Sequence, residues 1–115
     1  MQSTKEHFSD RYQLFIGLND KVEANQKHDT EKYVSVIEYI CKNNGISFSI
    51  AYQRGGYTHE DGRYVRENSL VLTLINAEKE HVDMLASELC AMFNQESVLI
   101  FHDRVSAYFL TEKLI

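Results

Sequence analysis

The residues in this chain that could do chemistry fall in a few polar clusters. The richest is Arg66-Glu67-x-Ser69, in a segment that reads as a strand. Successive strand residues point to opposite faces, so Glu67 and Ser69 share a face and Arg66 points away. On one reading Arg66, with Arg54 or Arg63, surrounds an anionic ligand, because guanidinium forks match phosphate and carboxylate. On the other, the cluster is a cross-strand ion pair or hydrogen bond that fixes hairpin register. Gln95-Glu96-Ser97 follows a predicted helix. It either completes a polar site with the hairpin or satisfies orphan backbone groups at the helix end. With Tyr57 of the hairpin, the candidate ligand-binding set is Arg54, Tyr57, Arg63, Arg66, Glu67, Ser69, Gln95 and Glu96.

Nothing nominates a catalytic residue, a metal ligand set or a cofactor. His59-Glu60-Asp61 near the hairpin tip could supply acid–base groups or two metal ligands, but a solvated turn has the same composition. His102-Asp103 is equally ambiguous, and His7, His28 and His81 lack ligand spacing. HExxH, CxxC, Walker, GxSxG and glycine-rich nucleotide motifs are all missing from the sequence. Cys41 and Cys90, each inside a predicted helix, match no zinc or redox spacing and read as buried free thiols, which suits a cytoplasmic protein.

The elements that must position these residues follow from periodicity. Residues 1–11 are polar and read as a loosely ordered lead-in, leaving residues 12–115 as a single domain. Tyr12 to Leu18 is a buried-type strand, and Asn19 to Asp29 a charged, aperiodic loop. A helix starts at Asp29 or Thr30, carries an apolar stripe of Tyr33, Val36, Ile37, Ile40 and Cys41, and ends at Asn43-Asn44-Gly45. Ile46 to Gln53 alternates as a half-exposed strand and should pair with Ser69 to Ile75. Asp61-Gly62 marks the turn between them, and Gly55-Gly56 a bulge or flexible neck. A second helix spans about 77–93, with Asn76 as cap and Val82, Leu85, Leu89, Met92 and Phe93 as its stripe. Ser97 to Phe101 is the next strand, and Val105 to Leu110, after the polar break at residues 102–104, supports a fifth. The order βαββαβ predicts an α+β ferredoxin-like sandwich, both helices on one face of an antiparallel sheet.

At 115 residues, 43% hydrophobic and 25% charged, the chain is an ordinary folding unit. A net charge of −5 argues against charge-driven binding to nucleic acid or anionic membranes. No apolar run approaches the roughly 20 residues of a membrane helix. The open sheet face and the tyrosine-rich composition point to a homo-oligomer.

Three segments carry a resemblance. They are Phe15-Ile16-Gly17-Leu18, the hairpin from Gly56-Tyr57 through Asp61-Gly62-Arg63-x-Val65-Arg66-Glu67-x-Ser69-x-Val71-Leu72, and Phe93-Asn94-Gln95-Glu96-Ser97-Val98-Leu99. Together they resemble an uncharacterised bacterial family with an F-G-L first strand, a D-G-x-x-x-R-E-x-S-x-V-L hairpin and a late F-x-Q-E-S-V-L. Tyr57 stands where that family commonly has Trp. The resemblance implies the fold and singles out residues without implying an activity. A looser likeness, of topology alone, is to trimeric PII-like and CutA-like signalling proteins.

The leading expectation is therefore a non-enzymatic binding or regulatory module that uses its hairpin to contact a small anionic ligand or a protein partner. A small ferredoxin-like enzyme with an acid–base pocket is the first alternative. A phage or mobile-element inhibitor of a host protein is the second.

Overall fold

A computed structural model describes residues 2–112. Its elements in chain order are β1 (Gln2–Ser3), β2 (His7–Gly17), α1 (Thr30–Asn43), β3 (Ser49–Thr58), β4 (Tyr64–Ile75), α2 (Lys79–Met92), β5 (Leu99–Ala107) and β6 (Leu110–Thr111). β2 to β5 form one antiparallel sheet in the order β3-β4-β2-β5, the ferredoxin-like arrangement expected from the βαββαβ order. β1 and β6 pair as a short separate ribbon.

Alternation fixes which side faces the helices. Tyr12, Leu14 and Ile16 of β2 oppose Leu74, Leu72 and Leu70 of β4, and all six are buried. With Ile50 and Ile100 they meet Tyr33, Ile37, Ile40 and Cys41 of α1 and Val82, Leu85 and Leu89 of α2 in one core. Both helices therefore cover the even-numbered face of the sheet. The odd-numbered face, with Phe15, Val71 and Phe101, has no layer over it. Burial pushes the Cys41 thiol up to about 11, as suits an inert core group. Cys90 is only half-buried, and its Sγ donates to the Gln95 carbonyl at 3.1 Å.

Each helix ends in the same backbone motif. Gly45 (φ +64°) and Asn94 (φ +50°) adopt the left-handed conformation. The next N–H, of Ile46 or Gln95, then bonds back to the carbonyl of Cys41 or Cys90 at 2.9 Å. The second of these turns aims Gln95 into the protein.

Several expectations are corrected. β2 begins at His7, not Tyr12, so most of the supposed lead-in is strand; its polar residues are paired across to β5, Arg11 with Asp103 and Asp10 with His102. The same pairings make residues 102–104 the middle of a continuous β5 rather than a break, and no separate strand starts at Val105. Gly55-Gly56 is not a bulge, because pairing runs without interruption from Ser49↔Thr73 to Thr58↔Tyr64. A Cβ at Gly56 would collide with the Tyr64 ring, so that glycine makes room. Helix α2 starts at Lys79 after Glu78, and Met92 lies outside its buried stripe.

Leu72 sits at the centre of this core, opposite both Leu14 and Ile50. Leu72→Ala should cost about 2–5 kcal/mol, read as a lower urea midpoint; a loss below about 1 kcal/mol would mean the layer is packed otherwise.

Candidate active site

Where the hairpin joins the sheet, the uncovered face forms a cleft of about 680 Å³. The end of β2, the Asn19–Ala24 loop, the hairpin and the α2–β5 junction all line it. The three motif segments thus converge although they lie far apart in sequence. Such a volume suits a metabolite-sized ligand.

Glu67 is its best-positioned charge. The residue is half-buried and shares the open face with Ser69. Its Oε2 accepts the Asn19 backbone N–H at 3.0 Å. The carboxylate lies directly over Gly17, where an added Cβ would stand 2.6 Å from Oε2. Asn19 is held in turn: its Nδ2 donates to the Arg66 carbonyl at 3.0 Å, and its own carbonyl accepts Gln95 Nε2 at 2.7 Å.

Asp20 organises the adjoining loop. It is 5% exposed, and its Oδ1 accepts the N–H groups of Val22 and Glu23, both at 2.9 Å. Oδ2 accepts Asn94 Nδ2 at 2.8 Å and faces Lys27 Nζ at 3.6 Å. The Asn94 hydrogen bond first, then the backbone donors, hold this carboxyl well below the usual range. Lys21 N–H bonds the Asn94 carbonyl at 3.0 Å, so the loop is stitched to the end of α2.

Seven of the eight expected residues line the cleft: Tyr57, Arg63, Arg66, Glu67, Ser69, Gln95 and Glu96. Arg54 does not. Strand alternation puts it opposite Asn68 on the helix side, lining a separate recess of about 370 Å³ that Arg66 and Tyr64 also border. Arg66 has no ion pair among the described residues, so the cross-strand pair considered for it does not form. Arg63 is tied into the turn by Asp61, 3.7 Å away, and Asp61 Oδ1 also accepts the Arg63 N–H at 2.9 Å. His59 is held by the same aspartate, at 3.6 Å. Among the described residues no three His, Cys, Asp or Glu side chains cluster to hold a metal. His102 stacks on Tyr12 with ring centroids 4.2 Å apart and bonds Asp10 at 3.0 Å, which is structural work outside the cleft. Gln95 is 8% exposed and turns its amide toward backbone carbonyls. The residues that sequence reasoning passed over are Asn19, Asp20 and Asn94. Asn19 and Asp20 lay in a stretch with no periodicity and Asn94 at a helix end, and the contacts that join them to the hairpin and to the α2–β5 junction span more than 45 residues.

Among the solved structures similar to this chain are two of phage SAM lyase. One is a phage SAM lyase in complex with S-methyl-5′-thioadenosine, 30% identical, with a TM-score of 0.64 over 86% of this chain and 88% of that one. The chain belongs to the phage SAM lyase family. The other is a phage SAM lyase in the apo state, 29% identical, with a TM-score of 0.58 over 96% of this chain and 94% of that one. No protein-family model and no curated relative matches the sequence. Membership of a lyase family overturns the expectation of a non-enzymatic module. The ligand on the first lyase is moreover an uncharged thioether nucleoside, not an anion. No helix among the described residues is long and apolar enough to cross a membrane.

A carboxyl whose folded pKa is lowered stabilises the fold above its ordinary value, near 4, and that contribution is lost as the pH falls below it. Asp20→Asn, which faces the Asn94 amide with a second amide, should lower Tm at pH 7 by roughly 5 °C or more. The gap from the unsubstituted protein should narrow steadily below about pH 4. A gap of equal size at pH 7 and pH 3 would remove Asp20 from this role.

Proposed function

We propose that this protein cleaves S-adenosylmethionine, releasing S-methyl-5′-thioadenosine. What carries the reading is the pairing of two facts. The chain is 30% identical to a SAM lyase whose structure is solved in complex with that nucleoside, and its own cleft holds one carboxylate fixed in advance.

The chemistry needs little from the protein. The released nucleoside keeps the adenosine, the sulfur and the methyl group, so the bond that breaks joins sulfur to the γ-carbon of the four-carbon arm. Its electron pair goes to sulfur, turning a sulfonium into a neutral thioether. As a lyase adds no water, the arm must satisfy its own γ-carbon. One route loses a β-proton and forms an alkene, which asks a base to take an unactivated C–H proton. The other closes the arm's carboxylate oxygen onto the γ-carbon as a five-membered lactone, with no proton transferred and every atom accounted for. Intramolecular closure of this kind has a large effective-concentration advantage once the arm is folded. We assign the second route, because it needs no base.

Each group in the cleft then has a task. Glu67 takes the α-ammonium of the arm through a charge-assisted hydrogen bond and holds the arm folded. Phe15, Tyr57 and Leu99 offer apolar and aromatic surface to the adenosine half. Closure annihilates the carboxylate and sulfonium charges, so exclusion of water speeds it. The cleft opens on the uncovered sheet face, where Leu99 and Phe101 are more than half exposed. A second copy packed there would exclude the water, which is our reason for assigning a homo-oligomer. The reading also keeps the phage context considered earlier, as an enzyme that consumes a host metabolite and not as a protein that masks a host protein.

Purified protein incubated with S-adenosylmethionine should yield the methylthio nucleoside and an aminolactone, resolved by mass spectrometry. Glu67→Gln should lower kcat/KM on the order of 100-fold while the fold is retained. Absence of nucleoside release by the unsubstituted protein, or full activity of Glu67→Gln, would sink the proposal.

A further inference from the structure

We infer that Gly17, Asn19 and Gln95 form a positioning device that presets the Glu67 carboxylate. The inference rests on the lyase reading, in which Glu67 faces the substrate, and adds residues that act on it without touching substrate.

Gly17 is the first part. Gly17 is the last residue of β2 and still pairs with Ser69, a sheet position that a side chain would ordinarily fill, so the glycine needs a cause. The backbone does not supply one: Gly17 is not among the residues of positive φ. The side-chain space does. A Cβ at position 17 would meet Oε2 at 2.6 Å and both Cδ and Oε1 at 2.7 Å. The whole carboxylate occupies the volume that any other residue would fill.

Asn19 is the second part. Its N–H gives Oε2 a donor at 3.0 Å, whereas no described hydrogen bond reaches Oε1, which is left for a ligand. Such a donor orients the carboxylate only if the peptide itself cannot turn. Asn19 is pinned on both sides of that N–H: the Leu18 N–H one peptide earlier bonds the Asn68 carbonyl at 3.0 Å, Asn19 Nδ2 donates to the Arg66 carbonyl at 3.0 Å, and the Asn19 carbonyl accepts Gln95 Nε2 at 2.7 Å.

Gln95 is the third. The left-handed turn at Asn94 aims it inward, and its Nε2 also lies 3.3 Å from the Phe93 carbonyl. Its Nε2 is thus committed to backbone carbonyls. It acts on Glu67 through Asn19, from across the α2–β5 junction.

The test compares the unsubstituted protein with Gly17→Ala, Glu67→Asp, the double variant and Gln95→Leu. Measurements are turnover of S-adenosylmethionine, binding of S-methyl-5′-thioadenosine by calorimetry, and Tm. The nucleoside lacks the four-carbon arm, so its affinity reports the cleft without Glu67. Gly17→Ala should lower kcat about 30-fold or more and Gln95→Leu about 10-fold, while nucleoside affinity stays within about threefold; general damage to the fold would lower both. Aspartate is shorter and withdraws from the added methyl. The double variant should therefore keep a higher kcat than the product of the two single ratios predicts, and lose less Tm than the sum of the two single losses. Effects that simply multiply, or a Gln95→Leu variant with lowered Tm and unchanged kcat, would overturn the inference. No turnover by the unsubstituted protein would instead strike the lyase reading; the Gly17–Glu67 coupling would still be decided by Tm.

Discussion

A carboxylate resting on a glycine at the end of a central strand is the constraint on which this structure's site depends. Glu67 can lie over Gly17 only because β2 and β4 pair so that Gly17 opposes Ser69, two positions along from Glu67 on the same face. A slip of one residue would carry Glu67 to the helix side. What prevents the slip is the core. Leu14 opposite Leu72 and Ile16 opposite Leu70 are fully buried, and a one-residue slip would turn one strand's set toward water. The apolar residues on one face therefore fix where the charge sits on the other.

The site's polar groups divide into those that hold the scaffold and those left for a ligand. Asp20 is consumed by Asn94, Lys27 and two backbone N–H groups, and Gln95 by two carbonyls. Among the unspent groups are the free oxygen of Glu67, the guanidinium of Arg66 and the exposed Glu96. Among the described residues the cleft has no hydrogen-bonded nucleophile–base pair. It suits a substrate that brings both its own nucleophile and its own leaving group, and that needs to be folded and kept dry.

That absence explains why activity was illegible in the sequence. Motif reasoning looks for residues that carry out a reaction, and a ring closure within the substrate leaves no such signature. The architecture was far more readable, since both helical stripes and the pairing of residues 49–53 with 69–73 follow from periodicity. Polar strand ends were not: Asp10 and Arg11 look like a tail until their partners His102 and Asp103 are known, 92 residues away. Tyr57, Glu67 and Ser69 come together because alternation puts them on one face. Arg54 is parted from them by the same rule, its even number setting it on the helix side. Asn19 and Asp20 could not be found, because only the tertiary contact with Asn94 and Gln95 gives that loop a shape.

The most direct measurement of the central claim is a crystal structure of the protein with S-methyl-5′-thioadenosine. The account predicts the nucleoside in the cleft at the hairpin base, its thioether turned toward Glu67 with the carboxylate unmoved over Gly17. Density for the nucleoside in the helix-side recess beside Arg54, or a Glu67 carboxylate swung away from Gly17, would contradict it.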